Sequence, residues 1–195
     1  MIRKNVPILE LSGLPESLRA IDCKSGNRFV GQGVLSFLHL PRICEEIRQT
    51  HEDFNFQEKG VTWAFESWID IDSAGIEHNR IKVTIQLDFP LECQRCMQPY
   101  DENMLFSSQF VLFDSEDQVE DFPMDIDEED ALLNSHSFDL ITLIEDEILL
   151  HLPFIPKHDA KMCHSEYILN ESSIQNDQME SKNPFTSLKN LKFDA

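Results

Sequence analysis

The chain has 195 residues, 41% of them hydrophobic, with 16 Lys and Arg against 36 Asp and Glu, a formal net charge of −20. That length allows one sizeable core with residues to spare, and the charge argues against broad contact with nucleic acid or anionic membrane, which depends on cations displacing counterions. No run of about 18 apolar residues and no basic, apolar, small-residue leader is present, and the five cysteines lack secretory context, so a cytoplasmic protein with thiols or metal ligands in place of disulfides is expected.

The first thirty-odd residues mix Leu9, Leu11, Leu14 and Leu18 with Gly13, Pro15, Gly26, Gly31 and Gly33, which reads as short strands and turns. Pro41 then stands at a permitted first helical position, and Ile43, Cys44 and Ile47 share one stripe, so a short amphipathic helix is predicted over 41–50. Cys44 is thereby assigned to the core. Strands follow at 61–72 and 80–92, the second with Ile81, Val83, Ile85, Leu87, Phe89 and Leu91 alternating against polar or small neighbours. That strand runs directly into Cys93-Gln94-Arg95-Cys96. Residues 97–103 are turn-like, and alternation resumes over 103–113, which places the cysteine pair at the connection of an antiparallel hairpin.

The placement bears on the chemistry of the pair. A redox Cys-x-x-Cys needs a helix N-terminus behind its first sulfur to depress the thiol pKa. Here a strand follows, and Glu92 opposes thiolate formation while Arg95 partly offsets it. A metal-binding knuckle and a pair of inert reduced thiols are the two readings that remain in front.

Residues 97–156 carry 16 acidic side chains and no Lys or Arg, whereas residues 1–60 are balanced at eight and eight. Within this block, about 114–130 is acidic and turn-rich, contains Pro123 and has few large apolar groups, so it is expected as an exposed loop. Its carboxylates could also meet Mg²⁺ or Ca²⁺, but the spaced oxygen ligands of a hard-cation loop are missing, which favours a solvated loop. A helix is predicted over 139–152, capped by Ser137 or Asp139 and ended by Pro153. Its broad apolar stripe implies burial against the sheet, and the consecutive Glu145, Asp146 and Glu147 are expected as its wet face. The segment Pro153-Phe154-Ile155-Pro156-Lys157-His158 leaves this helix towards Cys163 and His164. If the helix exit lies beside the hairpin end, Cys93, Cys96 and Cys163 with His158 or His164 make a Cys₃His shell suited to a structural Zn²⁺.

Three blocks together resemble a known family: Leu91-Glu92-Cys93-Gln94-Arg95-Cys96; Glu145-Asp146-Glu147-Ile148-Leu149-Leu150-His151-Leu152-Pro153-Phe154-Ile155-Pro156-Lys157-His158-Asp159 with Cys163; and Asn183-Pro184-Phe185 with Leu188-Lys189. In order and wording they are similar to the bacterial large ribosomal RNA subunit accumulation protein family, the YceD-like proteins, from about residue 80 to the end. The resemblance implies a cytoplasmic, non-enzymatic ribosome biogenesis factor that supports synthesis, processing or accumulation of large-subunit (23S) ribosomal RNA. Relatives look as though they carry a second cysteine cluster after the Pro-rich segment, making a four-thiolate zinc site with the first pair. This chain departs from that pattern by having Cys163 with His158 and His164 there.

With so acidic a centre, the expected partner is a basic ribosomal protein or assembly factor, and neither a membrane nor a small-molecule substrate. After a polar linker, the tail presents Phe185, Leu188 and Leu191 with Lys189 and Lys192 at spacing suited to a short docking helix. Folding of that tail onto its own domain is the competing reading. The rival function is a metal-dependent hydrolase or nuclease acting on precursor RNA, drawing on the same cluster with Asp139 and Glu145. Against it, four protein ligands close a zinc shell, and no nucleophile or phosphate loop is recognisable. The expected architecture is α+β: a curved, mainly antiparallel sheet, with barrel closure left open, packed by one main and one short helix. One domain is assigned to 1–169, and linker and docking tail to 170–195.

Overall fold

The computed structural model describes residues 6–51, 54–71, 75–122, 129–159 and 163. Two compact units divide the chain, Met1–His158 and Asp159–Ala195; of the second, Asp159 and Cys163 are described. The first unit carries, in order, β1 (Ile8–Glu10), α1 (Pro15–Leu18), β2 (Arg28–Ser36), α2 (Pro41–Thr50), β3 (Gly60–Ile71), β4 (Glu77–Glu92), β5 (Pro99–Phe113), α3 (Glu116–Glu120), β6 (Asp130–Leu133) and α4 (Leu140–His151). The six strands lie in sequence order in one curved sheet that does not close into a barrel. β2 to β5 pair antiparallel, and the two edge strands β1 and β6 add in parallel. The α+β expectation therefore holds, with a sheet that is mixed at its edges.

Period-two patterning makes the sheet one-sided. Val61, Trp63 and Phe65 of β3, Ile81, Val83, Ile85, Leu87 and Phe89 of β4, and Phe110 and Leu112 of β5 are buried. They form one core with Ile43, Cys44 and Ile47 of α2 and Leu140, Ile141, Ile144 and Ile148 of α4. Each large aliphatic or aromatic group so removed from water contributes about 1.5–3 kcal/mol. Trp63 pairs with Gly33 across the β2–β3 ladder. A Cβ at Gly31 would lie 2.8 Å from Leu11 Cβ and 3.2 Å from the indole, so the ring of Trp63 occupies space that a side chain on β2 would need.

Helix α4 begins as predicted at Asp139, whose carboxylate accepts the Thr142 N–H at 3.0 Å and pairs with Arg19 at 2.9 Å. The expected wet face is corrected by the structure: Glu145 and Glu147 are each only 5% exposed. Burial is tolerated because both carboxylates find donors. Glu145 Oε1 accepts the backbone N–H groups of Arg42 and Ile43, at 2.7 and 3.2 Å, and its Oε2 takes the Arg42 guanidinium. Glu147 accepts from the Ser108 hydroxyl. A helix covered over so wide an arc has no room for three consecutive solvated acids, and only Asp146 keeps a half-exposed carboxylate, held by Arg42.

Further differences concern the loops. β5 begins at Pro99, not near 103, because the β4 ladder extends through Glu92↔Pro99. The acidic segment is not all loop among its described residues, since it contains α3 and ends in β6. The opening segment holds a nine-residue strand, β2, that glycines at 31 and 33 had concealed.

Candidate metal centre

The β4–β5 connection is a tight knuckle. The Cys93 N–H donates to the Gln98 carbonyl at 3.0 Å, and the Met97 N–H returns to the Cys93 carbonyl at 2.8 Å. Met97 takes φ 57°, a left-handed conformation uncommon for a residue with a Cβ. This turn curls residues 93–97 back on themselves, and Cys93 is fully buried while Cys96 is partly so.

A second segment is fastened beside the knuckle. After α4 the chain turns at Pro153, and the Gln94 N–H donates to the Pro156 carbonyl at 3.0 Å. His158 follows within two residues. Its Nε2 lies 3.1 Å from Cys96 Sγ, and the Tyr100 ring meets the imidazole edge to face at 5.5 Å. The donor atoms of Cys93, Cys96, His158 and Cys163 all lie within 4.8 Å of one another. Of the two candidate histidines the described structure thus places His158 in the group, and His164 lies outside the described residues.

The donor set fits zinc. Zn–S bonds of about 2.3 Å in a tetrahedron put neighbouring sulfurs about 3.8 Å apart, the spacing a cluster of this size accommodates after small adjustments. Three thiols and an imidazole match the softness of Zn²⁺ or Fe rather than Mg²⁺ or Ca²⁺. Four protein donors fill a tetrahedral shell, which is the arrangement of a structural site. The electrostatics of the knuckle point the same way. Burial pushes the Cys93 thiol up, but hydrogen bonds from the backbone N–H groups of Arg95, Cys96 and His158, with the Cys96 side chain, outweigh it and bring the thiol down to about 6. The thiolate that a metal requires is therefore favoured at neutral pH.

The other cysteines behave differently. Burial, with Asp22 alongside, pushes the Cys23 thiol up to about 12. Cys44 is raised by burial as well, and its Sγ donates to the Phe37 carbonyl at 3.0 Å as a core residue. Asp139 and Glu145, the carboxylates available to a hydrolase, are occupied in capping and pairing α4 and α2. The tail residues Phe185, Leu188, Lys189, Leu191 and Lys192 lie outside the described residues. Two contributors escaped the sequence reading: Pro156, whose carbonyl fastens the second segment, and Tyr100, which packs on His158. The only sequence signal for Pro156 was the Pro-x-x-Pro spacing before His158.

Comparison with known proteins adds a match between residues 81–192 and the family described as Large ribosomal RNA subunit accumulation protein YceD. A protein of that name from Haemophilus influenzae is 33% identical over 113 residues, 57% of this chain and 64% of its own length. The chain thus spans less than two thirds of that relative. No solved structure matches the chain.

Proposed function

Because the chain belongs to the YceD family of large ribosomal RNA subunit accumulation proteins, we propose that it is a non-enzymatic, cytoplasmic ribosome biogenesis factor supporting synthesis, processing or accumulation of 23S ribosomal RNA. The observation that carries this reading is the family match itself, which begins within β4 and takes in the knuckle, α4 and the segment after it. No helix among the described residues is long and apolar enough to cross a membrane.

The factor acts by holding a protein rather than the RNA. Sixteen carboxylates without a compensating Lys or Arg between residues 97 and 156 repel a phosphate backbone and attract a Lys/Arg-rich ribosomal protein or assembly factor. The tail around Phe185, Leu188, Lys189, Leu191 and Lys192, which falls inside the family-matched span, supplies a second, apolar contact. A Zn²⁺ held by Cys93, Cys96, His158 and Cys163 braces the knuckle and supplies no chemistry. The hydrolase alternative has no observation in its favour beyond the presence of metal ligands.

Depleting the chain in growing cells tests the function. The ratio of 23S to 16S ribosomal RNA should fall and return with the wild-type gene; an unchanged ratio overturns the reading. Tight binding of purified chain to naked 23S RNA at physiological salt would overturn the protein-partner mechanism.

A further inference from the structure

The hydrogen bond from Gln94 to Pro156 brings the two ends of the Lys- and Arg-free stretch to one place. The nearest cations flanking that stretch in sequence, Arg95 and Lys157, stand on the two segments so joined, and both are exposed. Neither takes part in an ion pair among the described residues. Between them the Pro-x-x-Pro turn carries Phe154, 97% exposed, and Ile155, 50% exposed, while Met97 of the knuckle is 64% exposed and Leu150 in the last turn of α4 is 77% exposed. An isolated exposed Leu is ordinary. A nearly bare phenylalanine held on a fastened turn, with exposed Ile155 next to it in the chain, is the kind of feature that marks an interaction site.

We infer that this tip, centred on Phe154 and Ile155, is a knob that inserts into an apolar groove of a partner protein whose rim carries Asp or Glu facing Arg95 and Lys157. This rests on the reading that the chain works through a protein partner, and adds a contact distinct from the acidic block and the tail. Aliphatic Ile155 gains nothing from stacking on bases but gains fully from burial in a protein groove. Two cations release too few counterions to hold RNA against the rest of the molecule, yet suffice to orient a docked protein. The fastened turn also lowers the cost of binding, because the knob is ordered before it meets the partner.

The test places a photo-crosslinking phenylalanine analogue at position 154 of the full chain in growing cells. The expected product is a ribonuclease-resistant adduct to one protein, with the crosslinked peptide mapping to an apolar groove bordered by Asp or Glu. With that protein purified, Phe154→Ser should weaken binding about thirtyfold, as loss of a buried aromatic anchor does. Arg95→Glu with Lys157→Glu should slow association. Since Phe154 touches water on nearly every side, its replacement should leave the melting temperature unchanged, so a lost interaction cannot be ascribed to unfolding. An RNA adduct, an adduct only to a second copy of the chain, no adduct at all, or a partner that binds Phe154→Ser undiminished would each overturn the inference. These results are independent of the 23S measurement: a chain dispensable for 23S RNA whose tip still captures such a groove would sink the proposed function and leave the knob standing.

Discussion

Glu145 of α4 accepts the backbone N–H of Arg42 at 2.7 Å and that of Ile43 at 3.2 Å, so a buried side chain from a helix 103 residues away in sequence caps the first turn of α2. Pro41, at the first helical position, has no N–H to satisfy, and the next two donors are the ones Glu145 takes. Hydrogen bonds to Asp146 and then Glu145 hold the Arg42 guanidinium above its ordinary range.

Glu145→Ala should therefore cost about 2 kcal/mol, because it strips two helix donors of their acceptor, and lower the melting temperature by about 4–8 °C. Glu145→Gln retains an oxygen for both N–H groups and should lose about half as much. Thermal unfolding followed by circular dichroism distinguishes them, and an Ala variant as stable as wild type would rule out the capping role.

The three glycines packed at β2 and β3 should respond unequally. At Gly60 an added Cβ lies 2.6 Å from the Leu35 carbonyl oxygen, at Gly31 2.8 Å from Leu11 Cβ, and at Gly33 no closer than 3.4 Å to Trp63. Gly60→Ala should lose about 1–3 kcal/mol through backbone displacement, whereas Gly33→Ala should be neutral or gain up to about 0.5–1 kcal/mol because alanine has less unfolded-state entropy to lose. Equal stabilities by urea denaturation would contradict the close approach of the Leu35 carbonyl to Gly60.

Purified chain should contain about one Zn²⁺ by elemental analysis, given the Cys₃His donor set. Cys93→Ser and Cys96→Ser should abolish it, and chelation should lower the melting temperature, because metal bound only by the folded state adds its binding energy to stability. His158→Cys should keep the metal, since four thiolates also make a closed shell. Metal retained by Cys93→Ser would show that the ion sits elsewhere.

In the metal-free protein the Cys93 thiol, at about 6, lies below an ordinary cysteine at about 8.5. A depressed acid group stabilises the fold fully above its unfolded pKa and loses that contribution as pH falls through the folded value. Stability should thus decline as pH drops from about 8.5 through 6, and the decline should vanish in Cys93→Ser. Ultraviolet thiolate absorbance of the metal-free protein at pH 7 should fall in Cys93→Ser and be unchanged in Cys23→Ser, because the Cys23 thiol is pushed up to about 12. Absorbance that falls with Cys23→Ser instead would contradict both environments.

Much of the fold was legible because periodicity is local. Alternation from Ile81 to Leu91 marks a half-buried strand, and the stripe through Ile43, Cys44 and Ile47 marks α2, observed over the predicted residues. Local pattern failed where a long-range partner decides the outcome. Gly31 and Gly33 read as turn residues until Trp63 of the next strand covers them. Pro99 joins β5 only because the β4 ladder continues to it.

By itself the sequence determined residue types and spacings: two thiols two residues apart, a histidine and a third cysteine beyond a proline-ended helix, and an acidic centre without cations. Those establish which chemistry is available, since donor softness and charge belong to the side chains. Tertiary structure decided what met what. It set His158 beside Cys96, fastened Pro156 to Gln94, withdrew Glu145 from solvent into the α2 cap, and left Phe154 bare on the segment so fastened. Such pairings depend on the closure of long loops around a common core, a property of the whole chain that no window of neighbouring residues contains.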